Sequence, residues 1–218
     1  MTDPTNLALA GIDRLSELSG RLLSWASPER AYIPDALRVA ALKSGDRLLD
    51  VGCGAGEFLA AAANREPGAL LFGVDPDEDA LELASRKIFG TLRPVELHQA
   101  LGEALPFEAD TFDIVTVTLL LAGMAGAQRL EVLADCRRVL RPGGRLIVAD
   151  WNGTPEGLHA LLEVPTRLMR RYVFAQNPAP RVLDSLKRSG FFPPELRATL
   201  STVLGTIELY EAYKPLQA

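Results

Sequence analysis

Hydrophobic positions change their spacing several times along the chain, and each change marks a new element. In residues 1–45, Leu7, Ile12, Leu15 and Leu22 recur at mixed three- and four-residue intervals, and Pro28 and Pro34 punctuate short helices leading to Leu37, Ala41 and Leu42. This pattern predicts a helical cap. Ser44-Gly45-Asp46 reads as a turn. The short apolar run Arg47–Val51 then ends in Gly52-Cys53-Gly54-Ala55-Gly56, after which Glu57 opens an alanine-rich helix. A second run, Ala69–Val74, ends at Asp75, and Pro76-Asp77 opens a helix with Leu81, Ala84 and Ile88 on one face.

Val95–Ala100, Asp113–Leu119 and Arg145–Asp150 read as three further strands, with a helix bearing Leu130, Leu133, Ala134 and Leu140 between the last two. Arg141-Pro142-Gly143-Gly144 reads as the turn that stops this helix. Strands alternating with helices predict an α/β fold with a parallel sheet covered on both faces. From Thr154 to Ala175 the helical pattern returns. Asn177-Pro178-Ala179-Pro180 breaks it before a helix with Val182, Leu183 and Leu186, which suggests a lid or pocket wall. Glu195–Ser201 and Thr206–Tyr213 alternate apolar and polar positions and predict a terminal antiparallel pair.

Composition narrows the ligand. The 218 residues are 48% hydrophobic and 23% charged, the balance of a globular chain. At this length roughly 70% of the unfolded surface can be buried around one core. Lys+Arg total 23 against 28 Asp+Glu, a net charge of -5, so there is no global basic footprint for nucleic acid, and a small molecule is the expected partner. Cys53 and Cys136 form no C-x-x-C pair, and His98 and His159 alone cannot build a multi-histidine site, so no metal is expected. The N-terminus lacks the pattern of a signal peptide. The longest apolar stretch, Ile114–Met124, is shorter than the ~20 residues that span a bilayer, so a cytoplasmic location without an integral membrane segment is expected.

Parallel α/β sheets bind ligands beyond the carboxyl ends of their strands, which directs attention to Asp50 and the glycine loop, and to Asp75. The glycines let a ligand approach the backbone at a helix N-terminus. Asp75 stands about 20 residues further on, where a carboxylate can accept from both hydroxyls of a ribose, although it could equally cap the helix after Pro76. The pair points to a nucleoside. A dinucleotide fingerprint needs G-x-G-x-x-G/A, but here the third glycine comes one residue early and Glu57 follows it. A carboxylate there repels a diphosphate and tolerates a ligand with an ammonium and a sulfonium.

The ordered segments Leu48-Leu49-Asp50-Val51-Gly52-Cys53-Gly54-Ala55-Gly56, Val74-Asp75, Glu103-Ala104-Leu105-Pro106-Phe107, Phe112-Asp113 and Val139-Leu140-Arg141-Pro142-Gly143-Gly144 resemble the successive motifs of class I S-adenosylmethionine-dependent methyltransferases. The likeness spans residues 47–151, and the Ala-Leu-Pro-Phe and Leu-Arg-Pro-Gly-Gly segments are most similar to the small-molecule branch that includes ubiquinone/menaquinone C-methyltransferases. It implies a Rossmann-like, seven-stranded, mostly parallel sheet in a single domain over 1–218. Within it, 1–45 would be the helical cap, 46–151 the cofactor-binding core, 152–190 a lid or acceptor insertion and 191–218 the terminal strands.

The resemblance implies S-adenosyl-L-methionine as cofactor and S-adenosyl-L-homocysteine as product. It places Gly52, Cys53, Gly54 and Gly56 against the methionine portion, with Asp50 near its ammonium, and Asp75 with Pro76 at the ribose. Thr118 and Leu119 would line the methionine pocket. The family usually has Asp or Asn where this chain has Leu101, which leaves adenine to the Gly102 backbone or to Glu103.

For the acceptor side, Tyr32, Trp151, Arg167, Arg171 and Tyr172 are candidates, and Arg167 and Arg171 belong to a locally basic stretch after the fifth strand that also holds Arg170, Arg181, Lys187 and Arg188. Each also has an ordinary packing or solvated reading. Leu119-Leu120-Leu121-Ala122-Gly123-Met124 predicts an apolar pocket wall or a plain core strand. Methyl transfer needs alignment at ~3 to 3.5 Å and a base only for a protonated acceptor. His159 is the candidate base, whereas His98, within a strand, reads as a packed or hydrogen-bonded residue. A non-catalytic nucleoside-binding module is the alternative. A dehydrogenase reading of Tyr210-x-x-x-Lys214 is disfavoured, because residues four apart on a strand lie ~13 Å apart. A homodimer is left open.

Overall fold

The computed structural model describes residues 29–89, 95–152, 182–202 and 205–216. In chain order these form α1 (Glu29–Ala40), β1 (Arg47–Val51), α2 (Glu57–Arg65), β2 (Leu70–Asp75), α3 (Glu78–Ile88), β3 (Glu96–Gln99) and β4 (Phe112–Thr118). A 3-10 turn (Leu121–Gly123) follows, then α4 (Gly126–Val139), β5 (Leu140–Trp151), α5 (Val182–Arg188), β6 (Glu195–Thr202) and β7 (Gly205–Tyr213). The strands make one seven-stranded sheet in the order β3-β2-β1-β4-β5-β7-β6. The first five run parallel, and β7 lies antiparallel to both β5 and β6.

Alternation along the central strands sends side chains to two cores. Leu49, Val51, Val115, Val117, Leu146 and Val148 meet Val132, Leu133, Cys136 and Val139 of α4 and Val182 and Leu186 of α5. Leu48, Ile114, Ile147 and Ala149 meet Tyr32, Ala36 and Val39 of α1, Phe58, Leu59 and Ala62 of α2, and Ala84 and Ile88 of α3. Burial on both faces explains why β1 and β4 read as nearly continuous apolar runs.

Two expectations need correction. Pro34 does not separate helices: it lies inside α1. The proline removes one backbone donor, and the apolar face carrying Tyr32, Ala36, Val39 and Ala40 outweighs that loss by packing on the sheet. Arg141-Pro142-Gly143-Gly144 is not a turn between helix and strand but an irregularity within β5, where the pairing to β4 shifts register between Phe112 and Ile114. The bulged backbone is held from the C-terminal side, by Gly143 N–H to Lys214 O at 3.0 Å and Lys214 N–H to Gly144 O at 2.9 Å. This lies at the amino end of β5, so the segment shapes the sheet and not the ligand crevice.

The terminal strands pair as expected, but alternation in β6 is interrupted between Leu196 and Ala198, and Leu196 is left exposed. Among the described residues no helix is long and apolar enough to cross a membrane.

Candidate active site

β1 and β4 are neighbours whose onward connections leave in opposite directions, β1 towards β2 and β4 towards β5, so the crevice beyond their carboxyl ends is the switch point of the sheet. Gly52 and Cys53 donate their N–H groups to Val74 O at 2.8 and 3.0 Å, which folds the glycine loop across the end of β2. Gly54 has φ of 49°, and no described residue lies within 4 Å of where its side chain would begin, so this backbone is left-handed and, among the described residues, open on one side. Among the described residues no side-chain hydrogen bond caps the N-terminus of α2, which leaves donors at the glycine loop. Gly56 has a different task. A Cβ there would sit 2.9 Å from Ala84 Cβ, so its smallness lets α3 pack on α2. Glu57 is tied to Lys87 of α3 by a salt bridge.

Two carboxylates flank the loop. Asp75 is half-buried: Oδ2 accepts from Gly54 N at 2.9 Å, and Oδ1 accepts from Asp77 N at 3.0 Å. Asp75 is not the cap of α3; that is Asp77, which accepts from Asp79 N and Ala80 N. Asp50 is buried beneath the loop, with Oδ1 accepting from Thr116 Oγ1 at 2.7 Å and Oδ2 without a hydrogen-bond partner among the described residues. Burial pushes its carboxyl up to about 7, with the Thr116 hydrogen bond opposing the rise and the nearby Asp75 charge adding to it. The enclosed carboxyl reaches a ligand at the loop through its charge and not by contact. Burial likewise pushes the Cys53 thiol well above its ordinary range, so Cys53 is a packing residue and not a nucleophile.

Pro76 is exposed, and its carbonyl accepts from Gln99 Nε2 at 3.1 Å. The Leu101–Glu103 loop lies beside the end of β1, where a Cβ on Gly102 would come 3.2 Å from Val51 Cγ1. Leu101 is 51% exposed, so its side chain offers no buried contact. Glu103 is half-buried near Gln128 Nε2, at 3.4 Å. The Ala-Leu-Pro-Phe segment is fastened to α4. Leu105 N–H donates to Asp135 Oδ2 at 2.7 Å, and Arg138 donates to Leu105 O and Phe107 O at 3.0 and 2.6 Å. Phe107 packs edge-on against Phe72, Phe112 and His98. His98 bonds Glu96 Oε1 at 2.8 Å, the packed role expected of it.

The carboxyl end of β4 forms the opposite wall. Thr118 is buried and accepts from the Tyr32 hydroxyl at 3.2 Å, which joins α1 to the switch point. Trp151 is half-buried against the same core as Tyr32. Leu119 has φ of 53°, a left-handed backbone that costs a non-glycine residue roughly 1–2 kcal/mol. Its N–H is held by Ala149 O at 2.8 Å. Leu120 lies on the glycine loop, its Cδ2 2.9 Å from where a Cβ on Gly52 would stand. Asp150 was missed by sequence reasoning, because an acid ending a strand looks like any turn residue. It is buried and accepts from Ala122 N at 3.0 Å and Trp151 N at 2.8 Å.

The loop, Asp50, Asp75, Gly102, Thr118, Leu119 and Tyr32 thus come together at one end of the sheet. His159, Arg167, Arg171 and Tyr172 lie outside the described residues. Tyr210 and Lys214 are separated in use: Tyr210 bonds Glu208, while Lys214 Nζ bonds Leu140 O at 2.6 Å and Asp110 Oδ1 at 2.6 Å. Among the described residues no cluster of three His, Cys, Asp or Glu side chains could hold a metal ion.

A family profile described as a methyltransferase domain matches residues 49–148, which run from β1 through the glycine loop to β5. Residues 49–148 of this chain are therefore similar to a methyltransferase domain. The chain is 33% identical over 146 residues to a demethylmenaquinone methyltransferase of Thermus thermophilus, covering 67% of this chain and 65% of that protein. It is 33% identical to a ubiquinone/menaquinone biosynthesis C-methyltransferase of Syntrophotalea carbinolica, over 62% of this chain and 56% of that protein. The chain therefore spans less than two thirds of the length of these curated relatives. A solved SAM-dependent methyltransferase of Methanosarcina mazei shares the fold, with a TM-score of 0.62 at 18% identity over 83% of this chain and 98% of that one. The ordered motifs are thus similar to those of the relatives, and the sheet to that of the solved structure.

Proposed function

We propose that this methyltransferase moves a methyl group from S-adenosyl-L-methionine to a small, largely apolar acceptor, working in the cytoplasm and not on nucleic acid. The observation that carries the reading is the Asp75 carboxylate at the glycine loop, whose oxygens accept from Gly54 N at 2.9 Å and Asp77 N at 3.0 Å beside the open backbone of Gly54. When bound, the cofactor supplies an electrophilic methyl on a sulfonium that leaves as a neutral thioether. Asp50, enclosed at the end of β1, favours the cationic end of the cofactor through its charge and not by contact. Asp75 accepts the ribose hydroxyls: each of its oxygens takes one backbone N–H and keeps lone-pair capacity for another donor. Gly102 offers backbone to the adenine, since Leu101 is turned to solvent. Leu119 and Leu120 exclude water from the wall at the end of β4, and Tyr32 with Thr118 closes the crevice on the cap side. With alignment and water exclusion as the main tasks, the described residues need no general base for a non-protonated nucleophile.

Calorimetry with S-adenosyl-L-methionine and S-adenosyl-L-homocysteine tests the cofactor, with saturable heat expected for both. Absence of heat at millimolar cofactor overturns the reading. For the acceptor, the names of the relatives make reduced demethylmenaquinone the first probe. Label carried from methyl-labelled cofactor into the quinone supports an acceptor of this class, whereas cofactor binding without labelling excludes this probe as acceptor.

A further inference from the structure

The turn after β4 is bent against its own preference and held to β5 by a backbone bond on one side and a buried carboxylate on the other. Leu119 is left-handed, and the next residue, Leu120, rests its isobutyl group over Gly52. Nothing about Leu119 itself favours that conformation, since only Gly, and to a lesser degree Asn or Asp, adopts it readily. The bend persists because its two sides are tied to β5. Leu119 N–H donates to Ala149 O at 2.8 Å, and the N–H of Ala122 donates to Asp150 Oδ2 at 3.0 Å, with the Leu121 backbone bonding the same carboxylate. The other oxygen, Oδ1, takes the N–H of Trp151 at 2.8 Å. Asp150 is 2% exposed, so these backbone donors replace the water it has given up. Buried Arg129 of α4 adds a favourable charge to the same carboxylate.

Asp150 belongs to β5 and Gly52 to the loop after β1, with β4 between them in the sheet. The two are linked through one short turn. We propose that Asp150 is a positioning residue of the methyltransferase site: by clamping the turn after β4 it sets Leu120 on the glycine loop and so determines how tightly the cofactor is held. Leu120 is the cover of the pair, an apolar side chain placed where Gly52 has none of its own. The inference rests on the cofactor reading above, but the clamp itself can be measured without cofactor.

The test compares Asp150→Asn, Leu120→Ala and the double variant of the full chain, using calorimetric binding of S-adenosyl-L-homocysteine and amide hydrogen exchange. Asp150→Asn is expected to weaken binding about tenfold, and Leu120→Ala by a similar factor, while the double variant binds no worse than the weaker single one, because the clamp acts through the cover. Exchange at Leu121 and Ala122 accelerates in Asp150→Asn and not in Leu120→Ala. A residue with a merely structural role would lower Tm yet leave affinity unchanged, or contribute additively in the double variant; either result overturns the proposal. Should Asp150→Asn not fold, unchanged binding by Leu120→Ala alone overturns it. If the wild-type chain binds no S-adenosyl-L-homocysteine, the cofactor reading fails and the claim about affinity goes with it. Unaltered exchange at Leu121 and Ala122 in Asp150→Asn removes the clamp independently.

Discussion

Asp75 Oδ2 accepts the Gly54 N–H at 2.9 Å, so the carboxylate that ends β2 holds the glycine loop that ends β1. One side chain therefore both shapes the loop and faces the proposed ribose. Asp75→Ala removes both contributions, and hydrogen bonds to a charged group contribute about 1.5–3 kcal/mol each. Binding of S-adenosyl-L-homocysteine is expected to weaken by at least about tenfold, with Tm lowered by only a few degrees. Asp75→Asn keeps one acceptor oxygen and should lie between the variant and wild type. Calorimetry beside a melting curve separates the two effects, and full affinity in Asp75→Ala would refute the assignment.

The raised Asp50 carboxyl makes stability depend on pH in a definite direction. Its value is about 7 in the fold against an ordinary 3.8, so between these values the unfolded chain has released a proton that the folded chain keeps. The neutral group is tolerated below about pH 4, and stability falls as pH rises towards about 7. Asp150, pushed by burial to about 6 against the pull of its backbone donors and Arg129, acts in the same sense over a narrower window. Asp50→Asn removes the first contribution. Its stability relative to wild type should therefore improve as pH rises from about 4 to about 7 and level off above, by up to roughly 1 kcal/mol per pH unit within that window, as read from denaturant midpoints. A difference that stays constant with pH would place the Asp50 carboxyl near its ordinary value.

Cofactor binding should also draw the Asp50 proton out. If the charge on the cationic end of S-adenosyl-L-methionine acts on this carboxylate, binding at pH 6.5 releases protons, and the observed enthalpy will vary with the ionisation heat of the buffer. Buffer-independent heats in wild type, or an unchanged buffer dependence in Asp50→Asn, would separate the proton from the ligand.

Two glycines of the same loop should respond differently to one methyl group. Gly54→Ala meets open space and suffers mainly the cost of its φ of 49°, roughly 1 kcal/mol, so the fold survives while the cofactor loses its approach. Gly56→Ala adds a clash 2.9 Å from Ala84 Cβ to a φ of 77°, and is expected to lower Tm by roughly 5–10 °C. The folded fraction of Gly56→Ala should bind S-adenosyl-L-homocysteine within about threefold of wild type. Melting curves and titrations on the two variants would have to show the reverse pattern to defeat this division of labour.

Arg145 couples the cap helix to the sheet. Its guanidinium reaches Val39 O at 3.0 Å and Ala40 O at 2.5 Å, two carbonyls that end α1 without helical partners, and it pairs with buried Glu211 at 3.3 Å. Arg145→Met leaves Glu211 with only Arg197 at 3.5 Å among its ion-pair partners in the described residues, and should cost about 3 kcal/mol. Adding Glu211→Leu should restore part of that loss in equilibrium denaturation. No recovery would mean that the carbonyl contacts, not the ion pair, carry the stability.

Much of this architecture is legible in the sequence for local reasons. The apolar runs at β1, β2 and β4 are each followed by breakers and a helical period, and both faces of those strands are buried, so their pattern carries no competing signal. Pro34 and the Arg-Pro-Gly-Gly segment are misread because local propensity is overruled by packing. The face of α1 buries enough to keep a proline inside the helix, and backbone bonds from Lys214 hold a strand through two glycines. Asp75 is visible through its spacing from the glycine loop, whereas the helix cap passes to Asp77, a choice between two nearby acids that spacing cannot make.

The order of chemistry along the chain belongs to the sequence: an acid and a glycine loop after the first strand, an acid after the second, and an apolar stretch after the fourth. These are properties of neighbouring residues, and the chain states them directly. Only the tertiary structure decides that Asp50 keeps an oxygen without a hydrogen-bond partner among the described residues, that Tyr32 bonds Thr118 across 86 positions, and that Asp150 takes the backbone of the turn that carries Leu120. Each depends on which strands become neighbours and on how completely water is removed between them, and both are settled when the whole sheet closes around its two cores.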